Sequence, residues 1–373
     1  MRPPLASVVV PTYNREADLG RCLEGWERQA PADLPFEVVV VDDGSTDGTA
    51  DRVTAWRGRR FALRHLRQAN AGPAAARNRA LEVATGELVL FTGDDVEPTP
   101  TLLAEHWQGH RERFDPGLAI LGQIRWAGDM PLSATMRHVD GVGGEQFSFG
   151  GMVDGQRYDF RHLYTANVSL RRELLDREPG GFSTEFPAAA FEDTELGWRL
   201  ARHGLVIVYR ASAVALHHHH YDAESFFRRQ VKCGASAAVL LRLRPALARW
   251  TPLADLEWRR LTELGAGARR RQLVVTTAAE LELWEARAFA LAAAVEWDGG
   301  APSERLLRAL FRYGYCKGLA TALLPGEPGR SLSAASFLDL LPRAVGRWAD
   351  DMERAGRKVP QEERLEVVGL AGT

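Results

Sequence analysis

Three acidic pairs and a run of histidines are the groups in this sequence best suited to chemistry. Asp94-Asp95 directly follows the apolar run Leu88-Val89-Leu90-Phe91. Two adjacent carboxylates at the end of a buried strand suit a hard divalent cation, Mn²⁺ or Mg²⁺, whose coordination phosphate oxygens can complete. A second pair, Asp42-Asp43, ends the run Val38-Val39-Val40-Val41 in the same way. An ionised carboxylate only accepts hydrogen bonds, so Asp43 can select a nucleobase that offers an N–H, as uracil and thymine do at N3 and guanine also does. Arg77 follows Gly72-Pro73 by one turn of a helix, where its planar fork can meet diphosphate or base oxygens. In Glu192-Asp193, Asp193 is the candidate general base, with Glu192 orienting it. Of the internal run His217 to His220, strand alternation sends two rings to each side, and His217 is the candidate further metal ligand. Each segment alone also has an ordinary reading as a cap, a turn or an acidic first helical turn.

What lifts them above that reading is where they fall. Ser7–Val10, Phe36–Val41, Phe61–Leu66 and Leu88–Phe91 read as strands, and Ala17–Gln29, 47–57 and the segment opening at Gly72-Pro73 read as helices. Pro73 suits the first helical turn, and Gly86 is expected as the glycine closing that helix. Strands alternating with helices imply right-handed crossovers and a mostly parallel sheet, which binds its ligands beyond the carboxyl ends of the strands. Thr12-Tyr13-Asn14, Asp42-Asp43 and Gly93-Asp94-Asp95 all fall at such ends.

Composition narrows the field further. The formal net charge of −2 gives no general attraction to nucleic acid, and no nucleic-acid-binding module is recognisable. Cys22, Cys233 and Cys316 are odd in number and widely spaced, which argues against a disulfide framework or a structural zinc site. There is no signal-peptide pattern and no apolar run long enough to span a bilayer, so a cytoplasmic enzyme is expected.

Taken in order, the segments resemble the GT-A-fold family 2 glycosyltransferases. The resemblance rests on Ser7–Arg15, Val41–Thr49, Asn70–Pro73 with Ala76-Arg77-Asn78, Phe91–Asp95, Ala166–Arg172, Gly181-Phe182, and Glu192-Asp193 with Glu195-Leu196-Gly197. It implies a GT-A domain over residues 1–222, Rossmann-like with a mostly parallel central sheet. The nucleotide-sugar half would be about 1–98 and the acceptor half about 99–222, with a mostly helical region over 223–373. It further implies that Pro11, Tyr13 and Asp43 line the nucleoside pocket, that Arg77 meets base or diphosphate, and that Asp94-Asp95 touch ribose and metal. Asp193 would be the base of an inverting transfer from a nucleotide diphosphate-sugar, UDP- or dTDP-linked by the Asp43 argument, to an acceptor hydroxyl. Many relatives carry a third acidic residue where Gly93 stands, which leaves open which of Asp94 and Asp95 binds metal.

The resemblance fades beyond about residue 235. Leucine- and alanine-rich helices are expected over 222–249, 274–296 and 303–324. Residues 224–271 hold eleven basic side chains against four acidic ones, a local excess of seven. Such a stretch suits peripheral contact with an anionic membrane, or a lipid-linked acceptor, as well as it suits a solvated helix face; glycans and small molecules are the other acceptor classes. The competing functions are a nucleotide-sugar-binding protein without transferase activity and a nucleotidyltransferase. The latter would favour a glycine-rich phosphate loop where Pro11-Thr12-Tyr13-Asn14 stands.

Overall fold

The computed structural model describes residues 4–58, 60–140, 146–147, 149–250, 289–290, 292–293 and 304–323. The chain divides into two compact units, one ending at Asp222 and one beginning at Ala223. The first unit is α/β. Its opening strands are β1 (Ala6–Thr12), β2 (Phe36–Asp42), β3 (Ala62–Arg67) and β4 (Leu88–Thr92). Crossing between them are α1 (Glu16–Glu27), α2 (Thr49–Thr54) and α3 (Gly72–Val83). All three strand pairings here are parallel, in the order β3-β2-β1-β4. Val10 lies opposite Val40 and Thr12 opposite Asp42, so the carboxyl ends of the central strands finish level.

The continuous valine runs are explained by two cores. Alternate residues of a strand face opposite sides of a sheet. Val9, Val39 and Val41 accordingly pack with Ala76 and Ala80 of α3, while Val8, Val10, Val38 and Val40 pack with Leu19, Leu23 and Trp26 of α1. Strands covered on both faces carry no polar alternation. β3 lies at the edge of the sheet and is only partly covered.

Beyond β4 the sheet turns mixed. It continues through β8 (Asn167–Arg171), β6 (Leu118–Trp126), β9 (Val206–His217) and β5 (Val96–Pro98), with β7 (Arg157–Tyr158) also on β9. β8 runs antiparallel to both β4 and β6, whereas β6 and β9 are parallel to one another. The segments Val206–Tyr209 and Val214–Leu216 belong to the single strand β9, whose pairing with β6 shifts register between Gly122 and Gln123. Four further helices complete this unit: α4 (Leu102–Glu112), α5 (Ala134–His138), α6 (Arg172–Leu175) and α7 (Glu192–Ala201).

Two expectations need correction. The helix foreseen over 47–57 is confined to α2, because Asp47 accepts hydrogen bonds from the Thr49 amide and hydroxyl and so ends the preceding turn there. Gly86 does not close α3. That helix ends at Val83, and Ala84 is already extended. Gly86 is small for another reason: a Cβ there would collide with the backbone of Ala6 and Ser7 in β1.

Beneath β8 lies a buried polar chain whose proton positions follow from its donors. Asn167 spends both amide hydrogens on the carbonyls of Gln123 (3.0 Å) and Ala213 (2.9 Å), so its Oδ1 must accept from His106 Nε2 (2.8 Å). His106 Nδ1 is then bare and accepts the Ser169 hydroxyl (2.9 Å), which in turn accepts from His110 Nε2 (3.0 Å). Burial holds both rings neutral, pushing His106 down to about 4 and His110 to about 3. Asn167 and Ser169 belong to the Ala166–Arg172 segment, whose work here is to join β8, β6, β9 and α4.

The described part of the second unit contains α8 (Ala223–Leu243) and α9 (Glu304–Leu323). They cross at glycines: a Cβ on Gly234 would strike the Tyr315 carbonyl, and one on Gly318 the Val231 carbonyl. No helix among the described residues is long and apolar enough to cross a membrane. The expected helix over 274–296 lies mostly outside the described residues, as does the basic stretch beyond Trp250.

Ser169→Ala removes the hub of the buried chain and leaves one acceptor and one donor unpaired. Each such orphan costs about 1–3 kcal/mol. Denaturant unfolding at neutral pH should show a loss in that range; a change below about 0.5 kcal/mol, as at an ordinary surface position, would mean that the chain holds nothing together.

Candidate functional site

The site is built where β1, β2 and β4 end. After Thr12 the chain turns through Tyr13, which is half exposed, and Asn14, which takes a left-handed backbone (φ 53°) that Asn tolerates better than most residues. The Asn14 amide donates to Ser45 Oγ (2.9 Å), and its side-chain oxygen accepts from the Thr46 amide (2.7 Å). Asp42 in turn receives the Ser45 amide (2.7 Å). These bonds fasten the loop after β1 to the loop after β2. Pro11 sits within β1 opposite Val41, partly covered.

Asp43 is committed to the protein more fully than its sequence context foretold. Its Oδ1 accepts from Gln68 Nε2 (2.7 Å) and the Ala71 amide (2.9 Å), and its Oδ2 accepts from the Gly72 amide (2.8 Å). No side chain of its own caps α3, so Asp43 meets the unpaired N–H groups at the start of that helix from across the fold. A carboxylate has about four lone-pair positions. Three are filled, two on Oδ1 and one on Oδ2.

Arg77, one turn into α3, was expected to face a diphosphate or base. The structure turns it to Glu192 instead, with Nη1 2.8 Å from Oε1 and the guanidinium 5.4 Å above the Phe182 ring. Both partners are buried, with Arg77 Nε and Glu192 Oε2 left without protein partners. Phe191, just before Glu192, takes a left-handed backbone (φ 70°). That conformation is unusual for an aromatic residue and sets the angle at which α7 presents its acidic start. Asp193 is partly covered and receives the Thr194 amide on Oδ1 (2.7 Å). Burial, and then the neighbouring Glu192 charge, push the Asp193 carboxyl up to about 7, with Arg77 opposing. A carboxyl so placed is a proton acceptor poised near neutrality.

The second acid pair divides its contacts. Asp94 accepts the Thr12 hydroxyl on Oδ2 (2.8 Å), and burial together with the Asp95 charge raises its pKa. Asp95 faces the other way. β5 pairs antiparallel with β9, Val96 lies opposite His217, and the His218 amide donates to the Asp95 carbonyl (2.9 Å). This register brings Asp95 Oδ2 to 3.6 Å from His217 Nε2, 3.4 Å from His219 Nδ1 and 3.2 Å from Arg15 Nη1. Burial pushes Asp95 upward, but the two imidazoles and the guanidinium outweigh it and hold this carboxyl well below the usual range. His218 points away and meets Glu97 Oε2 at 2.8 Å. The structure thus joins His217 to Asp95, and adds His219 and Arg15, to which the sequence had assigned no part. Their signal was the β5–β9 pairing, a contact more than a hundred residues apart.

Gly93 now has a local explanation. A Cβ there would lie 2.7 Å from Asp95 Oδ1, so the missing side chain lets the Asp95 carboxyl fold back over its own turn. Asp95, His217 and His219 make a mixed oxygen and nitrogen donor set of a kind that Mn²⁺ accepts. His217 Nδ1 is buried without a partner, and its ring is stacked on Trp126 (centroids 5.2 Å apart, 13° between planes). These residues fit a divalent cation in chemistry. No three His, Cys, Asp or Glu side chains among the described residues are closed into a ligand shell as they stand; the cation among these donors is the Arg15 guanidinium.

Parallel strands ending in acidic residues, with a helix N-terminus at Asp43, form the kind of crevice in which α/β sheets bind ligands. Residues 7–177 match the model of glycosyl transferase family 2, to which this part of the chain is similar. Among curated relatives, validoxylamine A glucosyltransferase of Streptomyces hygroscopicus subsp. limoneus is 32% identical over 229 residues, covering 54% of this chain and 49% of its own. The uncharacterized glycosyltransferase YfnE of Bacillus subtilis is 26% identical over 259 residues, covering 58% of this chain and 65% of its own. The chain spans about half the length of the first of these relatives. A solved mannosyltransferase from Pyrobaculum calidifontis, in complex with GDP-Man and Mn²⁺, is 23% identical, with 94% of this chain and 88% of its own covered and a TM-score of 0.49.

If Asp43 fastens α3, then Asp43→Asn should lower the stability of the ligand-free protein by about 1–3 kcal/mol, because an amide hydrogen would then face backbone donors. Chemical denaturation without nucleotide checks this. An unchanged midpoint would return Asp43 to a purely ligand-binding role.

Proposed function

We propose that the chain is a metal-dependent inverting glycosyltransferase acting on a nucleotide diphosphate-sugar. The observation that carries this reading is Asp193 in the first turn of α7, partly covered, with Glu192 beside it and Arg77 paired to Glu192, a setting whose burial raises the carboxyl to about 7. The family supports glycosyl transfer as the reaction class.

In this reading Pro11 and Tyr13 line the nucleoside pocket, and the remaining lone pair of Asp43 accepts a base N–H. UDP- or dTDP-sugars are therefore favoured. Asp95, His217 and His219 hold Mn²⁺ or Mg²⁺, with Asp94 and its Thr12 bond alongside. The cation, when bound, neutralises diphosphate charge as the leaving group departs. Asp193 takes the proton from the acceptor hydroxyl as that oxygen attacks the anomeric carbon on the face opposite the diphosphate. One base and one in-line displacement invert the anomeric centre. Arg77 keeps Glu192 compensated, so that the two adjacent acids of α7 are not both driven to the neutral form.

The first test is thermal stability with UDP, dTDP, GDP and CDP, each with and without Mn²⁺ or Mg²⁺. A ligand present at 100 times its Kd raises stability by about 2.7 kcal/mol. A metal-dependent rise with one nucleotide is expected; no rise with any would sink the donor reading.

The second test is Asp193→Asn with the donor so identified. Donor binding should persist while turnover falls by about 10²–10⁴-fold, the usual contribution of a general base. Near-normal turnover would remove Asp193 from that role. The base must be unprotonated to act, so wild-type kcat/KM should rise with pH through about 7 and then level off. A flat profile between pH 5 and 8 would argue against a carboxyl raised as Asp193 is.

A further inference from the structure

The Arg15 guanidinium lies among Asp95, Asp18 and His219. Its Nη1 lies 3.2 Å from Asp95 Oδ2 and 3.3 Å from Asp18 Oδ2, and its Nη2 lies 3.3 Å from His219 Nδ1. A guanidinium has five donors and no acceptor. His219 Nδ1 therefore meets Arg15 with its lone pair, the same lone pair a metal would take. The same nitrogen lies 3.4 Å from Asp95 Oδ2, so one guanidinium reaches both groups at once. His217 Nε2 lies 3.6 Å from the same carboxylate oxygen.

The backbone of Arg15 is anchored independently of its side chain. Its amide donates to Thr49 Oγ1 (3.1 Å), and its carbonyl accepts the Leu19 amide (2.9 Å) in the first turn of α1. The side chain is about a third exposed and has a second anion, Asp18, on its own helix. It can leave Asp95 without disturbing the loop or becoming unpaired. Beyond it, Asn14, Arg15, Glu16, Ala17, Asp18, Asp47 and Arg52 line an open cavity of about 630 Å³.

We propose that Arg15 is the resident counter-cation of Asp95 and His219 in the metal-free protein, and that it competes with the divalent cation for them. The inference rests on the metal reading given above and adds a role for a residue to which that reading gives none. The competition makes the bare cation bind weakly, and metal uptake includes the swing of Arg15 toward Asp18. An anionic diphosphate gives the released guanidinium a further partner, so nucleotide and metal should favour one another's binding.

Mn²⁺ binding to the full chain without nucleotide, followed by electron paramagnetic resonance of the free ion, tests this directly. The proteins compared are wild type, Arg15→Gln and Arg15→Lys, with melting curves to confirm that each is folded. Arg15→Gln should bind Mn²⁺ about tenfold or more tightly than wild type, since an adjacent opposite charge commonly changes a carboxylate's affinity for a competing proton by about ten- to a thousand-fold and a metal draws on the same lone pairs. Arg15→Lys, which keeps the charge, should stay near wild type. The gain in Mn²⁺ affinity that UDP brings to wild type should shrink in Arg15→Gln. Equal or weaker Mn²⁺ binding by folded Arg15→Gln overturns the competition while leaving the metal reading intact. If neither wild type nor Arg15→Gln binds Mn²⁺, with or without UDP, the metal reading fails and this inference with it.

Discussion

Negative charge gathered at one edge of a sheet is the constraint to which the rest of the first unit answers. Level strand ends bring Asp42, Asp43, Asp94 and Asp95 together in partly or wholly buried surroundings, where an uncompensated carboxylate is costly. Each is met differently. Asp42 takes the Ser45 amide and has the Arg67 guanidinium 3.5 Å away. Asp43 is held by N–H groups at the start of α3, and Asp94 by a hydroxyl and an upward shift toward its neutral form. Asp95 is met by the Arg15 guanidinium at 3.2 Å and by two histidine rings. Loop conformations follow from these arrangements: Asn14 turns left-handed to reach Ser45 and Thr46, and Gly93 dispenses with a side chain so that Asp95 can fold back.

The helix α3 carries the same logic across the sheet. At its start it lends backbone N–H groups to Asp43, and one turn later it lends Arg77 to Glu192. Asp43 and the acidic start of α7 are thereby both tied to one helix. Displacing α3 would disturb both at once, which is a stronger coupling than either pair of residues would create alone.

How much of this the sequence disclosed depends on the range of the interaction. Strands such as Val38–Val41 were legible because burial on both faces demands unbroken apolar residues, and the acidic pairs were legible because they follow those runs. The pairing of Arg77 was not legible, since nothing local distinguishes a guanidinium facing a ligand from one facing Glu192 over a hundred residues away. Gly86 was misread because helix closure and close backbone approach use the same residue for different physical reasons. Asn167 and Ser169 were visible as a family-like segment, yet their partners His106 and His110 lie on the helix α4 with no sequence pattern to announce them. His219 and Arg15 depended on the register of β5 against β9, which only the folded sheet fixes.

The chain through Asn167, His106, Ser169 and His110 admits a single arrangement of hydrogens, set at one end by two carbonyls that only accept. It therefore has a direction, and no member can be exchanged for a residue of reversed polarity without orphaning its neighbours. Such positions are expected to change together or not at all along a lineage. A route from this set to an apolar one of similar volume would pass through intermediates less stable than either end, so these four side chains are tied in inheritance as a single unit although two separate segments of the chain supply them.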